Sequence, residues 1–205
     1  MYRFSYYNEQ DRATVIEFMK ANPFAIITGP GEVYPVATHL PLEVEEVDGK
    51  IVLSGHMMRK TDHHTAFEKN ENVLVIFNGP QTHVSANWYT NPRGGSTWNY
   101  MTVHAKGKIR FKDEEGTRKA VEDITNKYVG LNTAASFDQL TEEYVSKMVK
   151  AIAGFSIEVE ELENVFKLSQ EKDHETKLNI IEQLRKRGDE NSLLIATEVE
   201  KRIEK

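Results

Sequence analysis

Lys50-Ile51-Val52-Leu53-Ser54-Gly55-His56-Met57-Met58-Arg59-Lys60-Thr61 opens as an alternating strand, Lys50 to Leu53, and ends in a basic turn. The helix-like run Asp62 to Lys69 follows directly. A strand thus hands over to a helix N-terminus at two adjacent cations and a hydroxyl. A guanidinium fork, an ammonium, a hydroxyl and free backbone N–H groups can converge there on a phosphate. The alternative reading is a solvated basic turn, which an isolated Arg-Lys pair would favour.

Outward from this corner the pattern is mostly β. On the N-terminal side, Asn8 can cap a helix with the apolar stripe Val15, Ile16, Phe18 and Met19, stopped by Asn22-Pro23. Strands are expected at Phe24–Thr28 and Val33–Val44, and Val47-Asp48-Gly49-Lys50 makes a tight hairpin. Pro41, at the end of Thr38-His39-Leu40-Pro41, must sit at a sheet edge or bulge because it cannot donate to a ladder.

On the C-terminal side, Asn72–Phe77 reads as a buried strand closed by Asn78-Gly79-Pro80. Thr82–Tyr89 alternates, Asn91–Gly95 is a loop, and Thr97–Phe111 is a long strand with a bend expected at Gly107. A helix opens at Asp113 and runs to about Val129, with Ala120, Ile124 and Tyr128 inward. After a linker, Thr141 begins another helix, and Gly154–Val159 returns as a last strand. Lys172–Arg187 and Glu190–Lys205 are charged helices around Gly188-Asp189. Short strands with helices gathered at the ends predict a small antiparallel barrel wrapped by helices.

Composition narrows the chemistry. The 205 residues are 39% hydrophobic and 28% charged, as in an ordinary globular protein, and the net charge of −6 argues against a general polyanion binder. There is no cysteine, which excludes disulfides, thiolate nucleophiles and cysteine-ligated metal. The N-terminus does not read as a signal peptide and no apolar run approaches membrane-spanning length, so a cytoplasmic protein with no membrane partner is expected.

Three segments hold polar aromatics on successive strands: Thr38-His39-Leu40-Pro41, Ser85-Ala86-Asn87-Trp88-Tyr89 and Thr97-Trp98-Asn99-Tyr100-Met101-Thr102-Val103-His104. Buried, each polar group would need a partner. They suit a planar heteroaromatic ligand, and they equally suit barrel-end plugs; composition leaves both open. A metal is disfavoured, since adjacent His63 and His64 on a helix point about 100° apart and no His-Glu-x-x-His spacing occurs.

These blocks, with Gly55-His56-Met57, Gly79-Pro80, Gly154-Phe155 and Lys167-Leu168-Ser169-Gln170, closely resemble the PaiB-type negative transcriptional regulators of protease synthesis and sporulation. The resemblance runs through nearly the whole chain in the same order. It implies an α+β protein, mainly β: a six- or seven-stranded antiparallel split barrel of the FMN-binding type, shared with pyridoxamine-phosphate oxidases and some flavin reductases. Helices would flank this barrel over 1–170, with a C-terminal helical hairpin over 171–205. It further implies a homodimer holding FMN in the cleft between subunits.

On particular positions, the resemblance puts the FMN phosphate at Arg59 and Lys60, with hydroxyl bonds from Ser54 or Thr61 and with His56 beside them. Thr38 and His39 would line the isoalloxazine ring, and Trp98, Asn99 and His104 would lie near the cleft. No catalytic residue and no metal ligand is assigned. The loop Thr90–Ser96 is shorter than the family pattern, and Met58 stands where a small residue is expected. Promoter DNA is the partner implied by the regulator label.

The cationic segment Lys177–Arg187 could open a helix-turn-helix, but the acidic second helix favours an amphipathic hairpin instead. The alternatives are a flavin-dependent oxidoreductase, or a split barrel that has lost flavin and acts through protein contacts. Haem on His39, His56 or His104 is a further variant of the latter.

Overall fold

The computed structural model describes Met1 and residues 4–203. Among these are seven strands and six α-helices. They are α1 (Arg12–Ala21), β1 (Phe24–Gly29), β2 (Val36–Pro41), β3 (Glu43–Val47), β4 (Lys50–Met58), α2 (Asp62–Lys69) and β5 (Asn72–Val84). There follow β6 (Thr97–Phe111), α3 (Glu114–Val129), α4 (Glu142–Ala151), β7 (Ile152–Lys167), α5 (His174–Arg187) and α6 (Glu190–Glu200). The strands form one antiparallel sheet in the order β2-β1-β5-β6-β7-β4-β3. The expected barrel of six or seven strands is thus a seven-stranded sheet curled as a half-barrel.

The local sequence explains the junctions. Asp48 and Gly49 both take left-handed backbone (φ 51° and 78°), the pair a primed hairpin turn requires, and Val47 pairs with Lys50 across it. Pro41 ends an edge strand, where its missing N–H is harmless. The single strand expected over Val33–Val44 is divided into β2 and β3 at Leu42, whose N–H bonds Pro23 O (2.9 Å).

Conversely, Asn78-Gly79-Pro80 does not close a strand: β5 runs through it to Val84. A Cβ at Gly79 would lie 2.4 Å from the Phe18 ring, so glycine there makes room for α1. Asp11, rather than Asn8, meets the free N–H groups at the start of α1, accepting from Ala13 N–H (3.2 Å). Tyr128 is exposed, whereas Thr117 and Val121 face inward from α3. Gly107 serves close approach, since a Cβ there would lie 2.2 Å from Glu158 O.

Two compact units divide the chain. One comprises Met19–Phe77 and His104–Leu162, with Ala25, Ile27, Leu53, Val75, Phe155 and Ile157 fully buried. Its α3 and α4 close a further apolar cluster of Val121, Phe137, Val145, Val149 and Ile152. The other comprises Met1–Phe18, Asn78–Val103 and Glu163–Lys205. There Ile180, Leu184 and Ile195 of the α5–α6 hairpin are buried, as are Val84, Phe166 and Leu168.

Candidate functional site

The basic corner lies where β4 ends. Alternation puts Ile51, Leu53, Gly55 and Met57 on the buried face and Ser54, His56 and Met58 on the other. Gly55 leaves room for its neighbours on the buried face, because a Cβ would sit 3.0 Å from the Leu42 side chain and 3.1 Å from the Phe155 ring. Helix α3 packs over β4. Its Thr117 hydroxyl accepts the N–H of Gly154 (3.0 Å), the residue paired with His56 across β7. Ser54 borders a cleft of about 220 Å³ with Glu43, Lys112, Asp123 and Lys127.

Beyond β4 the chain turns sharply. Arg59 N–H donates to Ala151 O (2.9 Å), and Lys60 takes a left-handed conformation (φ 62°) that non-glycine residues seldom adopt. Thr61 is the N-cap of α2: its hydroxyl accepts from His64 N–H (3.3 Å) and donates to Met58 O (3.1 Å). Asp62 takes the His63 N–H (2.8 Å), a bond that holds its carboxyl below the usual range. Two backbone donors in the first turn of α2, the His63 and His64 N–H groups, are therefore already used. An anion seat at this corner rests on side chains.

Those side chains are available. Among the described residues neither Arg59 nor Lys60 has an ion-pair partner, whereas Lys50, Lys69, Lys106 and Lys127 each hold a carboxylate at 2.7–2.9 Å. His56 Nδ1 is buried without a hydrogen-bond partner, and burial pushes its imidazole below the ordinary value. Two uncommitted cations and an orphaned ring nitrogen suit a phosphate group.

The remaining candidates are spread more widely. Thr38 and His39 lie on edge strand β2, opposite Ile27 and Ile26. His39 is exposed, 6.3 Å from the Phe24 ring. His104 is half-buried on β6 in the same unit. Met58 is exposed. Trp98 and Asn99 belong to the other unit, where Trp98 is 54% exposed and 6.1 Å from His83.

Asn99 is fully buried, and its amide exchanges two hydrogen bonds with the Ser169 hydroxyl (3.0 and 3.1 Å). Ser169 is itself left-handed (φ 59°), and Lys167 Nζ donates to Thr97 Oγ1 (2.5 Å). The Thr-Trp-Asn-Tyr and Lys-Leu-Ser-Gln blocks therefore meet in one buried network. Nothing in either block alone signals the pairing.

Both arginines at the basic end of α5 are committed inside their own unit. Arg187 donates to Thr82 Oγ1 and His83 O (both 2.9 Å) and stacks 4.8 Å from the Trp88 ring. Arg185 pairs with Glu200 (2.6 Å). Arg185 and Arg187, two of the cations that a DNA-binding reading would need, are thus engaged within their own unit.

Against known proteins, residues 1–161 match the family described as "Putative FMN-binding domain". The chain belongs to that family. Across its whole length it is 29% identical to the protease synthase and sporulation protein PAI 2 of Bacillus subtilis, covering 99% of that protein. An uncharacterised protein of Aspergillus fumigatus is 31% identical over 160 residues, 67% of this chain and 61% of its own.

Among solved structures, the flavocytochrome Anf3 of Azotobacter vinelandii superimposes with a TM-score of 0.63 at 16% identity, over 81% of this chain and 72% of its own. The FAD and heme binding protein of Mycobacterium smegmatis gives 0.58 at 15% identity, over 78% and 73%. At such identities the likeness concerns the fold, which is the split barrel of the FMN-binding family.

Proposed function

We propose that this protein is a PaiB-like negative transcriptional regulator. In this reading it is a cytoplasmic homodimer that holds FMN by its phosphate at the Arg59-Lys60 corner, with the ring in the cleft between subunits. The observation that carries the reading is the uncommitted pair of cations at the end of β4, with the orphaned His56 Nδ1 on the same strand. Membership of the FMN-binding family and full-length similarity to PAI 2 support it.

Arg59 and Lys60 would hold the phosphate, Ser54 and His56 would add hydrogen bonds, and Thr61 would keep the turn in shape as the helix cap. Thr38 and His39 are assigned to the ring, with Trp98 and His104 near the cleft. Asn99 is left out of this assignment, because its amide is taken by Ser169. When bound, flavin supplies reversible electron uptake; the protein's part is to position it and set its electrostatics. Residues 1–170 form the flavin-binding domain in this reading, and 171–205 form a helical extension.

How repression is exercised divides into two readings. Contact through partner proteins is favoured over direct DNA contact by one observation, the internal commitment of Arg185 and Arg187.

The experiment is direct. Freshly purified protein should absorb near 450 nm, and the Arg59→Ala/Lys60→Ala double variant should lose FMN affinity at least about a hundredfold, two charged contacts at about 1.5 kcal/mol each. Riboflavin, which lacks the phosphate, should bind both proteins alike. Equal FMN affinity in the two proteins would refute the corner. Retardation of promoter DNA with a steep salt slope would restore direct DNA binding, and steady NAD(P)H oxidation would restore the enzyme reading.

A further inference from the structure

His64, in the first turn of α2, has no role in the reading above, yet its side chain is the most anomalous polar group near the corner. It is 5% exposed, and neither ring nitrogen has a hydrogen-bond partner. One side of the ring meets Phe111 of β6, centroid to centroid 4.8 Å. On the other, Nδ1 lies 3.4 Å from Glu68 Oε2, without the alignment of a hydrogen bond.

The charged groups acting on the ring are Glu68, which favours its protonation, and Arg59 and His63, which oppose it. Strands β1 and β2 also pack against α2, and the one titratable side chain they bring is the exposed His39; β6, which brings Phe111 to the ring, carries Lys108 and Arg110 close to it in sequence, both paired with Glu71. Burial without a partner and the Arg59 charge both keep the imidazole neutral, with a carboxylate waiting beside it.

We propose that His64 is the proton-accepting member of the anion site, so that a phosphomonoester dianion bound at Arg59 and Lys60 draws one solvent proton onto the buried imidazole. The proposal rests on the assignment of the phosphate to that corner. A dianion there cancels the Arg59 charge that opposes protonation and adds a negative potential that favours it. The new positive charge then has the Glu68 carboxylate, 3.4 Å from Nδ1, as its counter-ion. Anion binding and proton uptake are thereby linked, and by reciprocity a fall in pH tightens binding.

The test is calorimetry of FMN and of riboflavin binding at pH 7.0, in two buffers of different ionisation enthalpy. The proteins compared are the wild type, His64→Gln and Arg59→Ala/Lys60→Ala. Wild type should take up a substantial fraction of one proton with FMN and none with riboflavin, and His64→Gln should bind FMN with no such uptake. Between pH 8.0 and 7.0, above the second phosphate ionisation near 6, FMN affinity should rise several-fold in the wild type, bounded by tenfold for one proton, and stay flat in His64→Gln.

FMN uptake of protons that is the same in both proteins would overturn the role of His64 while leaving the corner intact. FMN binding no tighter than riboflavin, and indifferent to the double variant, would overturn the corner itself. Should His64→Gln fail to fold, the ring proton resonances of His64 in the wild type give the same answer. Their titration midpoint should move up with FMN, and an unmoved midpoint would overturn the proposal.

Discussion

Lys60 carries two opposed burdens that one substitution separates. Its left-handed backbone (φ 62°) costs a non-glycine residue about 1–2 kcal/mol. Glycine would remove that cost but add about 0.4–1 kcal/mol of unfolded-state entropy, so Lys60→Gly should stabilise by roughly 0.5 kcal/mol. For a chain of 205 residues this corresponds to a rise of about 1–2 °C in Tm.

The same change deletes one of two cations assigned to the phosphate, so FMN affinity should fall about tenfold while riboflavin affinity holds. Lys60→Ala is the control: it loses the ammonium but keeps the left-handed cost, so binding falls with no gain in Tm. Differential scanning calorimetry and flavin fluorescence titration read both quantities on one preparation. A Lys60→Gly protein that melts lower, or that loses FMN and riboflavin equally, would refute the claim that strain is kept here for an anion.

The other predictions concern the scaffold. Asn99→Ala removes both bonds to Ser169 and leaves its hydroxyl buried, so urea unfolding should show a loss of about 2–3 kcal/mol. Gly154→Ala would place a Cβ 2.8 Å from Thr117 Cα; thermal melts should record a loss of about 1–3 kcal/mol as α3 is forced off the sheet. Burial keeps both His56 and His64 below the ordinary imidazole value of 6.5. Near pH 6 the unfolded chain therefore binds protons that the folded one refuses, and stability falls as pH drops below about 7, levelling once the folded imidazoles protonate. Urea midpoints at pH 7.5 and 5.5 should show this decline, and His64→Gln should make it shallower.

The sheet was largely legible because its rules are local. Alternation marks β4, the Asp48-Gly49 turn sets the β3–β4 register, and Pro41 announces an edge strand. Sequence and structure part where a distant contact overrides the local signal. Asn78-Gly79-Pro80 reads as a stop, but Phe18 needs the space at Gly79, so β5 continues. Tyr128 fits the helical stripe of α3, yet it is exposed, and the face that meets the sheet is the one carrying Thr117, packed against Gly154, and Val121.

The same distinction governs the site. Arg59, Lys60 and Thr61 are adjacent in sequence, so their convergence on one turn could be read directly. Asn99 reads as a ligand residue because its partner stands 70 positions away, and a buried amide is as polar in sequence as an exposed one. In sequence His64 reads only as half of a mismatched metal pair. Only its burial among Phe111, Glu68 and the Arg59 charge turns it into a candidate for proton uptake. Polar residues in this chain thus divide by whether the fold already answers their hydrogen bonds: Asn99 and Arg187 are answered, whereas Arg59, Lys60 and the rings of His56 and His64 are not. The buried ring nitrogens left unanswered cost stability, and a fold that keeps them near two unpaired cations has reason to meet a ligand there.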